Sequence, residues 1–320
     1  MNYKKLLRKL ICGGVICAAL TSGVNFAAAE DFDPDVAITH YTQRLQTEPN
    51  NAIMYNNRGF AYTMKHEYEK ALADLTRAIE IDPSYADAYN NRGIVYSKMR
   101  RFKQAAEDYS KSIGLAPNNA VAYNNRSFAN IMLASEAGVT GNKPLHDNYC
   151  RQAKEDAARA ISLKSDYEDA YINRGRASSA LNDKESAIRD FTKAISINPN
   201  NPTIYSIRGV AYDALDKEDL ALADYTKALE LDPEDSGTYN NRGLIYMRRN
   251  NLDKAISDFT KALDDSDDDV VAYNNRGMAY YKKGDYDKAI DDFTRALSLT
   301  PNFKAAIDNL KDAYAAKGHL

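Results

Sequence analysis

A five-residue pattern, Tyr-Asn-Asn-Arg-Gly, recurs along most of the 320-residue chain. The pattern and close variants of it begin at seven tyrosines: Tyr55, Tyr89, Tyr123, Tyr171, Tyr205, Tyr239 and Tyr273. Each tyrosine follows the previous one by 34 residues, except that Tyr171 follows Tyr123 by 48, so the third unit contains a 14-residue insertion. A fixed period of this length predicts an array of similar small units that stack on one another and share a core.

Other positions repeat at the same period. Small residues recur 16 and 23 residues after the tyrosine, as at Ala71 and Ala78, where they would let two helices approach closely. A proline that would end the second helix closes most units: Pro83, Pro117, Pro199, Pro233 and Pro301. Together these residues resemble the tetratricopeptide repeat over about residues 51–303. The resemblance implies an all-α fold, a right-handed superhelical solenoid of antiparallel helix pairs, of the exported bacterial type.

Residues 1–29 are predicted to be a signal peptide. Basic residues precede an apolar run at 10–20, and Ala27-Ala28-Ala29 then precedes an acidic pair. The alternative is a retained membrane anchor, but the run is shorter than the roughly 20 residues that a spanning helix needs. We therefore expect an exported protein, periplasmic or extracellular, without membrane insertion after cleavage.

The remaining segments follow from the register of the repeat. Residues 30–50 are predicted to form a half-repeat helix, residues 51–303 seven units and residues 304–320 a capping helix with a polar outer face. The insertion spans about residues 134–148, where Gly138, Gly141 and Pro144 predict a loop between two helices.

Charge and ligand-forming residues exclude several classes of partner. The chain has 42 Lys and Arg, 45 Asp and Glu, a net charge of −3 and no basic block, so no nucleic-acid partner is expected. His146 and Cys150 are too few for zinc, and a buried Cys150 thiol is the preferred interpretation. The acidic run 264–269 lacks the glycine and glutamate of a calcium loop, which favours a solvated turn. No metal or cofactor is predicted.

An arginine three residues after each tyrosine is matched by an aspartate in the second helix. The two are present together in every complete unit and absent together from the terminal helices, which favours a structural ion pair over an arginine ladder for an anionic ligand. The predicted pairs are Arg58–Asp74, Arg92–Asp108, Arg126–Asp156, Arg174–Asp190, Arg208–Asp224, Arg242–Asp258 and Arg276–Asp292.

Asparagines recur two residues after the tyrosine, at Asn57, Asn91, Asn125, Asn173, Asn241 and Asn275, with Asn309 in the cap and Ile207 interrupting the series. In the family the first helices line the concave face, and this series resembles the asparagine ladder of O-linked N-acetylglucosamine transferase, which holds an extended peptide by its backbone. The alternative is that these amides bond neighbouring helices or water.

Five residues after the tyrosine lie side chains that either contact a ligand or belong to the core between repeats: Phe60, Ile94, Phe128, Arg176, Val210, Leu244 and Met278. The histidines are scattered, and no nucleophile has a recognisable catalytic setting, so no enzyme is expected. The sequence thus predicts a scaffold that binds an extended peptide or partner segment in its groove, in cell-envelope complex assembly. The alternative is a structural solenoid that associates with itself.

Overall fold

The computed structural model describes residues 33–264 and 268–318. The predicted signal peptide lies outside the described residues, as do residues 265–267 of the acidic run. The described chain divides into two compact blocks, an N-terminal block of residues 33–197 and a C-terminal block of residues 198–318.

Every helix or strand element in the described ranges is an α-helix, and consecutive helices pair, so the predicted all-helical repeat fold is confirmed. The N-terminal block contains nine helices: α1 Pro34–Thr47, α2 Ala52–Met64, α3 Tyr68–Ile81, α4 Ala86–Lys98, α5 Phe102–Leu115, α6 Ala120–Val139, α7 Lys143–Leu163, α8 Glu168–Ala180 and α9 Lys184–Ile197. The C-terminal block contains seven: α10 Pro202–Asp213, α11 Glu218–Leu231, α12 Ser236–Arg248, α13 Leu252–Asp264, α14 Val270–Lys283, α15 Tyr286–Leu299 and α16 Lys304–Gly318.

The core of each unit combines alanines with one large ring. In the second unit, Ala105 and Tyr109 of α5 pack with Ala129 of α6, and Ile94 and Tyr96 cover the cluster. Ala105 and Ala129 are fully buried, so the helices that carry them lie close together. In each unit, one residue between the two helices has a positive φ. This conformation costs a non-glycine residue roughly 1 kcal/mol or more, and glycine occupies the position in two units. The residues are His66, Arg100, Gly141, Asn182, Asp216, Asn250 and Gly284.

The insertion corrects the prediction of a loop at 134–148, because it lengthens two helices instead. Helix α6 continues to Val139 and α7 begins at Lys143. Gly138 lies inside α6, where a Cβ would be 3.5 Å from the His146 ring, an ordinary van der Waals distance. Gly141 supplies the left-handed turn with φ of 72°, and Pro144 occupies the first turn of α7, where a proline is tolerated.

The last described helix also differs from expectation. Ala306 and Ala313 of α16 are buried, and Leu310 packs against the preceding helix pair. Its outer side carries Ile307 and Tyr314, which are 45% and 56% exposed, so this side is less polar than predicted. None of the described helices is long and apolar enough to cross a membrane.

Candidate functional site

The seven predicted arginine–aspartate pairs are all brought together by the structure. In each, the arginine Nε and Nη2 atoms donate to the two carboxylate oxygens at 2.6–2.9 Å. The aspartate side chains are only 7–9% exposed, and hydrogen bonding to the carboxylate raises the pKa of each arginine. Such two-point pairing fixes the relative orientation of the two side chains and links the two helices of a unit.

Five of these arginines also reach the preceding second helix. Their Nη1 atoms donate at 3.0–3.3 Å to a hydroxyl one helix earlier: Arg58 to Thr42, Arg92 to Thr76, Arg126 to Ser110, Arg242 to Thr226 and Arg276 to Thr260. Most guanidinium donors are therefore used within the protein, which leaves little for an anionic ligand.

The asparagines join successive first helices. In the N-terminal block, Nδ2 of the asparagine two after the tyrosine donates to Oδ1 of the asparagine one after the previous tyrosine: Asn91 to Asn56 at 2.9 Å, Asn125 to Asn90 at 3.2 Å and Asn173 to Asn124 at 2.9 Å. Asn57 donates to the Tyr41 hydroxyl at 3.4 Å and accepts from Asn56. The structure thus has the contacts between neighbouring helices that the alternative interpretation describes.

The C-terminal block repeats this arrangement where the sequence allows it. Asn275 donates to Asn240, and Asn309 donates to Asn274, each at 2.9 Å. Ile207 cannot take part, and Ser206 beside it instead shares a hydrogen bond with the Thr238 hydroxyl at 2.6 Å. The acceptor asparagines were missed from sequence, although the Asn-Asn dipeptide was the visible signal for them.

Exposure separates the predicted groove residues into two groups. Asn173 and Asn275 are buried, at 5% and 8% exposed, and are poorly placed to contact a ligand. Asn57, Asn91, Asn125 and Asn241 are half-buried. Asn91 and Asn125 each have a second N–H and a side-chain oxygen that make no hydrogen bond within the described chain.

The side chains five residues after the tyrosine also differ in their surroundings. Ile94 packs on a core that the second and third units share, and Leu244 and Met278 pack on a core that the sixth and seventh units share, as the inter-repeat alternative expects. Phe128 is half-buried, with its ring edge-on to Phe102 at 6.4 Å. Phe60 is half-buried as well, and Val210 is 46% exposed.

Arg176 stands in the same position of the fourth unit and differs from all of these. It is half-buried, and its guanidinium makes no hydrogen bond or ion pair within residues 33–264 and 268–318. Burial lowers the pKa of Arg176, and the negative charge of Asp169 opposes that shift. Asp169 lies seven residues earlier on α8, on the same face of the helix.

Family comparisons agree with this geometry. A model described as tetratricopeptide repeat matches residues 86–119, 168–201, 202–235 and 270–303. A TPR repeat model matches 61–99 and 243–284, and a further tetratricopeptide repeat model matches 224–257. Together these matches cover more than half of the chain. The chain belongs to the tetratricopeptide-repeat family.

Solved structures show the same fold. A chain of the APC/C hetero-tetramer Cut9–Hcn1 is 20% identical, with a TM-score of 0.63 over 88% of this chain and 52% of that one. This tetratricopeptide-repeat chain therefore spans about half the length of its match. A tetratricopeptide repeat protein from Parabacteroides merdae is 17% identical, with a TM-score of 0.58 over 86% of this chain and 99% of that one. A comparison with curated proteins found no match.

The third tetratricopeptide unit holds the cysteine that the sequence singled out. Cys150 is 1% exposed, and burial raises the pKa of its thiol. Its Sγ lies 3.8 Å from Nε2 of His146, whose Nδ1 is 2.9 Å from Asp147. Within the described ranges no group of three or more potential ligands could hold a metal ion.

The fourth tetratricopeptide unit supplies a testable pH dependence. Burial raises the pKa of Asp169 from 3.8 to about 6. Because the folded carboxyl group holds its proton more tightly than the unfolded one, its contribution to stability is complete below pH 4 and is lost as the pH rises through 6. Asp169→Asn should therefore raise the free energy of unfolding by about 1–3 kcal/mol at pH 7.5, allowing for partial solvent screening, and change it little at pH 3.5.

Urea unfolding of wild type and Asp169→Asn at the two pH values measures this difference. A gain of equal size at both values would mean that the carboxylate charge is not its cause.

Proposed function

We propose that this chain is a non-catalytic protein–protein interaction scaffold, and that the first helices of its N-terminal block bind an extended segment of a partner. The observation that carries the proposal is the pair of half-used amides at Asn91 and Asn125, on the same row of first helices as the unpaired Arg176. We name the surface of α2, α4, α6 and α8 that carries these side chains the first-helix face.

The chemistry of this face favours a peptide backbone. One N–H and one carbonyl oxygen on a side-chain amide complement the C=O and N–H of a peptide group. Because one N–H of each asparagine already holds the neighbouring helix, the amide plane is oriented before a ligand arrives. This lowers the ordering cost of binding.

Arg176 adds a preference for charge. A guanidinium without a partner can donate two parallel hydrogen bonds to a carboxylate. The partner segment is therefore expected to carry an Asp, a Glu or its own C-terminal carboxylate at the place that meets α8. Asp169 on the same face would disfavour a second acidic residue close by.

The proposal includes an exported location. The basic start, the apolar run at 10–20 and Ala27-Ala28-Ala29 support cleavage after Ala29 and action in the periplasm or outside the cell. A scaffold there would serve the assembly of cell-envelope complexes.

Self-association is the second candidate, because α16 exposes two large apolar side chains. Ile307 and Tyr314 lie seven residues apart on one side of this helix. An apolar strip of this kind would fit a second copy of the chain.

Peptide selection tests the main proposal. The exported protein, with its first residue read by N-terminal sequencing, is used to select from a library of random extended peptides. We expect enrichment of acidic peptides with otherwise varied side chains. Arg176→Ala should weaken the selected peptides tenfold to about a hundredfold in calorimetry, since a hydrogen bond to a charged group contributes about 1.5–3 kcal/mol.

Arg159→Ala is the matched control, because it removes the same charge from the exposed side of α7. It should leave affinity unchanged. Peptides that bind wild type and Arg176→Ala equally would exclude the proposed contact. A library without enrichment, together with a dimer mass in light scattering, would favour self-association.

A further inference from the structure

A cleft in the third unit is identified by comparing its arginine with those of the other units. In four units the guanidinium lies between two tyrosine rings, with its central carbon 5.6–6.0 Å from each ring centre. These are Arg58 with Tyr55 and Tyr62, Arg92 with Tyr89 and Tyr96, Arg208 with Tyr205 and Tyr212, and Arg242 with Tyr239 and Tyr246. The second ring always comes from the residue seven after the first.

The third and fourth units lack that second ring. Asn130 and Ser178 occupy its position, and Arg126 and Arg174 each face one tyrosine within the described residues, Tyr123 at 5.8 Å and Tyr171 at 5.4 Å. Ser178 is fully buried.

In the third unit the position borders a cleft. The cleft has a volume of about 590 Å³, and Arg126, Asn130, Ala106, Leu133, Tyr149 and Gln152 are among the residues that line it. Asn130 is only 4% exposed, and its amide lies 3.5 Å from Asp156 Oδ2. The walls come from the second helices α5 and α7 and from the first helix α6, and they include neither Arg176 nor any of the asparagines that lie two residues after a repeat tyrosine.

The other units show which side chain fits the corresponding position. In the second unit the corresponding Tyr96 ring lies against the Arg92 guanidinium and packs on the cluster of Ala105, Tyr109 and Ala129, yet it stays half-exposed to water. A cation over an aromatic face is attracted by the ring, and the flanking apolar surface favours the ring further. Around the cleft, Lys103 and Lys111 are offset by Glu107 and Glu155, so a charged ligand gains no net attraction.

We propose that this cleft binds a tyrosine side chain presented by a partner protein, its ring placed on Arg126 as Tyr96 is placed on Arg92. This is a second interaction site, separate from the peptide contact proposed for the first-helix face. The site exists because the third unit has Asn130 where a tyrosine would otherwise fill the space.

Methyl NMR on the full chain tests the site with two probes. N-acetyl-L-tyrosinamide and the peptide Gly-Gly-Tyr-Gly-Gly are titrated separately into protein labelled at alanine and leucine methyls. We expect ring-current shifts at Ala106 and Leu133 with both probes. N-acetyl-L-leucinamide, which has the same backbone without the ring, should bind at least threefold more weakly.

Two variants test the proposal, one by filling the cleft and one by creating a similar cleft elsewhere. Asn130→Tyr fills the cleft with the chain's own ring and should weaken both tyrosine probes at least tenfold without lowering the melting temperature. Tyr246→Asn should open an equivalent cleft in the sixth unit and add shifts at Leu252, which packs near Tyr246.

Equal binding of the tyrosine and leucine probes, or unchanged binding to Asn130→Tyr, would overturn the proposal. Binding of the free amino-acid probe without binding of the peptide would also overturn it, because the cleft would then not accept a chain-borne tyrosine. The tests use no peptide selected on the first-helix face. A negative result for the cleft would therefore leave the peptide site proposed for that face unaffected.

Discussion

Arg242→Ala is expected to lower the free energy of unfolding by about 3–5 kcal/mol, the usual result of removing one partner from a buried pair. Asp258, whose side chain is 7% exposed, would lose both guanidinium hydrogen bonds, and Thr226 would lose its contact with Nη1. Urea denaturation followed by circular dichroism measures the loss. Because repeat arrays need not unfold in one step, hydrogen exchange in α12 and α13 should locate it.

Two comparisons separate the pair from general effects of charge. Arg249→Ala removes an arginine from more exposed contacts with Glu218 and Asp219 and should cost less than about 1 kcal/mol. The double variant Arg242→Met/Asp258→Leu should lose less than Arg242→Ala, because no unpaired charge remains buried. Normal stability with loss of peptide binding would instead assign these arginines to a ligand.

The arginine–aspartate pairs were predictable because the arginine and the aspartate share one helix pair. A separation of 16 residues across a short turn brings them to the same level of the two helices, and the terminal helices lack both residues. The 30-residue separation of Arg126 and Asp156 shows that the insertion leaves this level unchanged, since α6 and α7 lengthen together.

The asparagines were harder to interpret, because both hypotheses predict the same periodicity. Asn91 recurs at the right place for a peptide ligand and equally for a bond to Asn56. The choice depends on the distance between two first helices that are separated by 34 residues in sequence, which local pattern does not fix. Asn91 and Asn125 can bond a neighbouring helix and still donate to a peptide ligand only because a side-chain amide has two N–H groups.

The insertion was misread for a related reason. Gly138 and Pro144 disfavour a helix in an isolated chain. Here Gly138 faces His146 of the neighbouring helix, and Pro144 lies in a first turn that needs no N–H from it. The open position at Asn130 was visible in the sequence only as a missing tyrosine. That a cleft adjoins Asn130 depends on the surrounding packing, which the sequence pattern does not fix.

The close approach of the two helices within a unit depends on a glycine opposite a large side chain. A Cβ at Gly243 would lie 2.7 Å from Cε1 of Phe259, which is fully buried. The third unit has changed both positions: Ser127 replaces the glycine, Ala157 replaces the ring, and both are fully buried. The Ser127 hydroxyl donates to the Ala153 carbonyl at 2.7 Å, so the exchange leaves no unsatisfied group there.

A double-mutant cycle that copies this exchange should show strong coupling. Gly243→Ser alone is expected to cost about 1–3 kcal/mol by overpacking, and Phe259→Ala alone about 3–5 kcal/mol by leaving a cavity. In the double variant the serine has room, so its cost should nearly vanish and the total should stay close to that of Phe259→Ala. Gly237→Ser is the control, since the nearest atom to a Cβ there is 3.5 Å away and little change is expected. Urea unfolding of the four proteins measures the cycle. Additive costs would show that the glycine and the ring act independently, and that the pairing of Ser127 with Ala157 does not reflect packing between the two helices.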